Sequence, residues 1–101
     1  MIILHIAHTV VHFDNWKESF DNHEEFRKQA GVRRYRVSRG IDNPNYVMID
    51  LEFDRLSEAQ ALLAGVQQVW GRVSGTLILN PEWRFSEVVQ IQQFQNPGHP
   101  S

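Results

Sequence analysis

An α+β sandwich, with two amphipathic helices laid over one face of a four-stranded antiparallel sheet, is the fold class this sequence predicts. Three observations carry it. Residues 46–53, YVMIDLEF, alternate strictly, with Val47, Ile49, Leu51 and Phe53 on one side and Tyr46, Met48, Asp50 and Glu52 on the other, which is the period of a strand. Two longer stretches, ending near Ala30 and Val73, instead repeat their apolar residues with a helical period. Clusters of Gly, Pro, Asn and Asp separate the segments, so that they read in the order β-α-β-β-α-β.

Taken in order, Ile2 to about Val11 is rich in β-branched residues and forms a first strand. Asp14 or Asn15 caps the helix that follows, and Asn15 with Glu18 approximates a capping box. This helix runs to about Ala30, with Gly31 as its stop; Trp16, Phe20, Phe26 and Ala30 share one face, with His23 near its middle. A second strand spans Val32 to about Arg39, and GIDNPNY reverses the chain into the third, making an antiparallel hairpin. Ser57 and Gln60 form a capping box for a second helix carrying Ala59, Leu62, Leu63, Val66, Trp70 and Val73. Gly65, Gly71 and Gly75 weaken it and leave its end open. TLIL, from Thr76 to Leu79, suits an extra edge strand but is left unassigned; NPEW marks a break; Phe85 to Phe94 is the final strand. The element order is that of a ferredoxin-like sandwich over residues 1–94, with QNPGHPS, residues 95–101, as a frayed tail.

The chain of 101 residues suffices for one domain with one core. Ten Lys and Arg against twelve Asp and Glu give a net charge of -2, which offers no bulk attraction to nucleic acid or to an anionic membrane. The absence of cysteine excludes disulfides, thiolate metal sites and cysteine nucleophiles. The apolar start MIILHIAHTVVHF carries three histidines, has no basic leader or cleavage site and is too short to span a bilayer; it reads as a strand of a cytoplasmic protein.

Because the helices cover one sheet face, alternation sorts the strands. Ile2, Leu4 and Ile6, Tyr35 and Val37, and Val47 to Phe53 at alternate positions, face the helices. The open face then carries His5, Arg34, Arg36, Tyr46, Met48, Asp50, Glu52 and, on the final strand, Glu87. RRYR, Arg33 to Arg36, resembles a basic patch for RNA, but it lacks a paired aromatic platform and has Asp50 and Glu52 beside it, so interstrand pairing is the better reading.

The element order, the helix entry HFDNWKESFD, the hairpin RGIDNPN and the strand ending DLEF together resemble the dimeric α/β-barrel superfamily, and within it small antibiotic-biosynthesis-monooxygenase-like proteins. The likeness covers nearly the whole chain to Phe94, and its motifs are structural. It implies a homodimer in which two open sheet faces meet to form a barrel. It also implies a pocket inside each subunit, between helices and sheet. Members of that superfamily bind aromatic polyketides, quinones, haem or short-chain acids there, and some oxidise their substrate with no cofactor.

His8 and His12 share the parity of Leu4 and Ile6, and His23 lies in the apolar stripe of the first helix, so the three histidines are expected to converge at such a pocket. His23 and His8 are the candidate catalytic residues; His12, Trp16, Phe20 and Trp70 are the candidate ligand contacts. The opposing reading makes the histidines hydrogen-bonded core or rim residues and the aromatics plain core. HEEF, His23 to Phe26, matches only half of a zinc-protease motif, because Arg27 stands where its second histidine belongs, and no metal site is expected. The expected function is binding of a small organic molecule, with cofactor-independent oxidation of an aromatic or quinone-like substrate as its enzymatic form. Haem is the alternative ligand, and a non-catalytic dimeric stress-response or regulatory module is the alternative function.

Overall fold

The computed structural model describes residues 1–73 and 77–95, with Val73 as backbone only. Strand β1 (Ile2–Val10) pairs antiparallel with β3 (Tyr46–Phe53) on one side and with β4 (Ile78–Glu87) on the other, and β2 (Arg34–Arg39) adds to β3, giving the order β2-β3-β1-β4. Helices α1 (Phe13–Asp21), α2 (Glu24–Gln29) and α3 (Leu56–Val73) complete the chain. This is an α+β, ferredoxin-like arrangement.

The central register does the sorting that alternation predicts. Leu4 faces Leu51, Ile6 faces Ile49 and His8 faces Val47, so the apolar sides of β1 and β3 form one continuous surface under the helices. Leu4, Val47 and Phe53 are fully buried there, and Trp16 of α1 with Ala59, Leu62, Leu63 and Trp70 of α3 pack onto them. Both cores of the predicted hairpin and of the second helix lie where the spacing placed them.

Three expectations are corrected. The first helix is two: the chain breaks at Asn22 and His23, both weak helix formers, and two carbonyls near the break take side-chain donors, that of Phe20 also accepting the His23 backbone N–H at 3.2 Å. The ring nitrogen Nδ1 of His23 lies 2.7 Å from the Ser19 carbonyl, and Arg27 Nη2 donates to the Phe20 carbonyl at 2.7 Å. The kink turns His23 outward and Arg27 inward, so Arg27 is buried while Phe26 stands half exposed.

The final strand is shifted toward the N-terminus. Ile78 and Leu79 of the unassigned TLIL run open β4, Asn80 and Pro81 lie inside it, and regular pairing ends at Glu87. The expected break at NPEW is a bulge: the register slips between Ala7 and Thr9, and Asn80 takes a φ of 53°. An edge strand tolerates this, since Pro81 has no N–H to offer a neighbour. Thr76 and the tail residues beyond Gln95 lie outside the described residues. Finally, Glu87 is paired with Ile2 and so shares the helix-side parity; Glu82, Arg84 and Ser86 are the β4 residues on the open face.

Gly31 ends α2 with a φ of 100°, and a Cβ built there would stand 2.5 Å from a carboxylate oxygen of Glu58. Gly31→Ala is therefore expected to lower stability by about 1–2 kcal/mol through the left-handed backbone, with a smaller part recovered if Glu58 swings away. Phe53→Ala, at the centre of the core, is expected to cost about 3–5 kcal/mol. Urea denaturation of the two variants checks both figures.

Candidate functional site

A cavity of about 370 Å³ opens between the helices and the covered sheet face. Its floor is Ile6 and His8 of β1 with Ile49 and Leu51 of β3; one wall is Trp16, Ser19, Phe20, His23, Phe26 and Arg27, and the other is Leu62, Gly65, Val66, Val69 and Trp70 of α3. Leu77 and Ile78 close the end. The size falls in the range of about 300–1,000 Å³ usual for small-molecule sites.

The aromatic wall is a chain of contacts. Trp16 meets the His8 ring edge-on at 5.5 Å between centroids and lies over Phe20 at 5.1 Å, and Phe20 meets Tyr35 at 5.5 Å. Across the cavity Trp70 stacks on Trp83 at 5.6 Å, which anchors α3 to the edge strand. Gly65 sets the width of the mouth: the Phe26 ring reaches toward it, leaving 3.9 Å from Cζ to where a Cβ would be.

Of the residues selected from sequence, His8, Trp16, Phe20, His23 and Trp70 line the cavity, and His12 does not. His12 is exposed at the N-cap of α1, because β1 ends at Val10 and the chain bends before strand parity can carry to residue 12. His8 is 2% exposed, and its Nδ1 has no hydrogen-bond partner among the described residues. Burial pushes its imidazole below the ordinary value. His23 differs: a carbonyl only accepts, so Nδ1 donates to Ser19 and Nε2 of the neutral ring is left as an acceptor at the mouth. The two candidate acid–base residues thus sit in opposite environments, one sealed in the floor and one in water at the rim.

Arg27 was not among the residues selected. Its signal was legible, since it falls four residues after His23 and seven after Phe20, on the stripe that faces the sheet. An arginine on an apolar stripe is a buried charge that needs an explanation.

On the open face, Asp50 accepts from Arg36 at 2.9 Å and pairs with His5 Nδ1 at 2.8 Å, while Arg34 donates to Glu52 at 2.9 Å. Nε2 of His5 lies 2.7 Å from Ser86 Oγ. The order Ser86, His5, Asp50 matches a hydrolytic triad atom for atom. The β1 backbone beside it is engaged with β3 and β4 on both sides and so offers no free N–H to an oxyanion, and Asp50 is shared with Arg36. The network ties four strands together. Partial burial raises the Asp50 carboxyl, but the hydrogen bonds from Arg36 and His5 outweigh it and hold the group below its ordinary value.

Among the described residues no group of three His, Asp or Glu is placed to hold a metal ion, and no helix is long and apolar enough to cross a membrane. No model of a known protein family matches the chain, and no curated protein is similar to it in sequence. Solved structures are similar in fold. An antibiotic-biosynthesis-monooxygenase-like protein from Deinococcus radiodurans superposes with a TM-score of 0.76 at 18% identity, over 95% of this chain and 100% of that one. SnoaB, a cofactor-independent oxygenase from Streptomyces nogalater, gives 0.72 at 15% identity, over 89% of this chain and 94% of its own. A dimeric ferredoxin-like protein from an uncultured marine organism gives 0.62 at 9% identity, over 93% of this chain and 100% of that one. The chain thus has the fold of antibiotic-biosynthesis-monooxygenase-like proteins.

Protonation of His8 couples to folding. The folded chain binds fewer protons there than the unfolded one, so its contribution is full above an unfolded value of about 6.5 and is lost as pH falls below that, by at most about 1.4 kcal/mol per pH unit. Asp50 acts lower, its contribution being present above about 3.9 and lost as pH falls further. Thermal melts from pH 8 to 3 are expected to fall in two steps, and His8→Phe, which keeps a ring against Trp16, is expected to remove the first. Equal curves for both proteins would contradict the assignment.

Proposed function

We propose that the chain is a homodimeric cytoplasmic protein that binds a planar aromatic or quinone-like small molecule in the cavity between its helices and its sheet. The observation that carries this reading is the cavity itself, with Trp16, Phe20 and Trp70 on its walls and buried His8 in its floor. Aromatic faces at this spacing favour a flat ligand by stacking and exclude water from it. Haem suits this cavity poorly. The volume lies near the small end of the usual range for small-molecule sites.

The enzymatic form of this reading is oxygenation without a cofactor, as SnoaB is described. In such a reaction a ring CH₂ and O₂ become a ring C=O and water, the substrate itself supplying the electrons. A neutral imidazole in a dry floor is suited to take up the first proton. The second reading, a non-catalytic dimeric module, would keep the dimer and have no turnover to lose.

Two features support the dimer, as does its occurrence in the marine protein of similar fold. The open face is bare of helices, and its central charges, Arg34, Arg36, His5, Asp50 and Glu52, are already paired across strands, which lets that part be covered without stranding those ions. Beyond β4, Val89, Ile91 and Phe94 are 89%, 69% and 81% exposed, on a segment whose sequence has strand character but which pairs with no strand among the described residues. A second chain would supply one.

Gly65→Leu is expected to fill the mouth, abolish binding of a flat aromatic probe and leave folding intact, since it also raises helix propensity by up to about 1 kcal/mol. Fluorescence titration of wild type and variant tests this, and equal binding by both would refute the site. Asp50→Lys with Glu52→Lys is expected to split the dimer in native mass spectrometry, and deletion of residues 88–101 to weaken it. A monomeric wild type would overturn the proposed assembly.

A further inference from the structure

The full charge on the cavity wall is positive. Arg27, His8 and His23 line it, and among the described residues no aspartate or glutamate does. A buried guanidinium requires a well-placed carboxylate, and Arg27 has less than that. It is 6% exposed, yet one bond from Nη2 goes to the neutral Phe20 carbonyl and the other reaches Glu24 Oε2 only at 3.3 Å. The same carboxylate oxygen accepts the Tyr35 hydroxyl, and Glu24 is itself half exposed to water. Nε of Arg27 has no partner among the described residues.

What holds the guanidinium in place is stacking together with only partial neutralisation by Glu24. It lies 3.7 Å from the centroid of the Phe20 ring and 5.0 Å from that of Tyr35. A planar cation is thereby oriented in advance, with charge to spare, at the aromatic wall of an apolar chamber. Such a group is suited to an oxyanion, which it meets with parallel N–H donors.

We infer that the cavity selects a planar aromatic oxyanion, a carboxylate or an acidic phenol, whose charge Arg27 neutralises while the ring lies among Trp16, Phe20 and Trp70. This rests on the cavity being the ligand site, and it adds the chemical class of the ligand and the residue that reads it. Arg27 is then a specificity determinant, and neutral hydrocarbons of the same shape are disfavoured.

The test compares 2-naphthoate with 2-naphthamide, which share shape and differ in charge, by calorimetric titration at neutral pH. Wild type is expected to bind the carboxylate at least about tenfold more tightly, as charge-assisted hydrogen bonds allow. Arg27→Met is expected to bind the two alike, the preference for the carboxylate being lost. Equal affinities in the wild type would overturn the inference and leave the cavity standing as a binding site, whereas binding of neither compound would overturn both. Should Arg27→Met fail to fold, Glu24→Gln decides, because it frees more of the Arg27 charge and is expected to widen the preference for the carboxylate. An unchanged or narrowed preference in that variant overturns the inference.

Discussion

The pairing of β1 with β3 is the constraint on which the other features depend. It runs from Ile2 opposite Phe53 to Thr9 opposite Tyr46, and because side chains alternate, it decides at once which residues see the helices. Slipping it by one residue would put Asp50 and Glu52 in the core and Leu51 and Phe53 in water. A pairing of this parity buries Leu4, Ile6, Val47, Ile49, Leu51 and Phe53 together, so the hydrophobic effect excludes every odd slip of the register. The same pairing sends His5 to the open face and His8 to the floor of the cavity, three residues apart in sequence and opposite in environment.

From that floor the cavity follows from how the helices are held. Trp16 and Phe20 stack along one side, Trp70 is fixed by Trp83 on the other, and Gly65 leaves room between them for the Phe26 ring. Large rigid rings keep the two walls apart where smaller aliphatic residues would let them close. The break at Asn22 and His23 then sets the chemistry of the space. It brings side-chain donors to the Ser19 and Phe20 carbonyls, the latter also accepting the His23 backbone N–H, and in doing so it directs His23 to the rim and Arg27 to the wall.

Much of this was legible in order. The strict alternation of Tyr46 to Phe53 reproduced that strand to the residue, and the spacing of Ala59, Leu62, Leu63 and Trp70 identified the buried side of α3. His8, Trp16, Phe20, His23 and Trp70 were marked from parity, wheel position and the family resemblance together, and they lie around one space. His12 was marked by the same parity and failed, because parity holds only while the strand lasts. The β4 strand was misplaced because Asn80 and Pro81 look like a turn, and whether they form a turn or a bulge depends on a neighbouring strand that local sequence does not contain. Ser86 was missed for the same reason, its partner His5 lying 81 residues away.

The sequence by itself determined which residues are apolar together, and hence the element order, the covered sheet face and the set of aromatics near it, since burial acts on period and composition. Tertiary structure alone decided where the first helix breaks, which side chain of that helix enters the core, and how far apart the walls stand. Those outcomes turn on free carbonyls that distant or neighbouring donors compete to satisfy, and on rings whose contacts come from four separate elements. Local pattern carries no record of such competition: the stripe placed Arg27 on the helix face toward the sheet, and only the folded chain shows which groups it meets there.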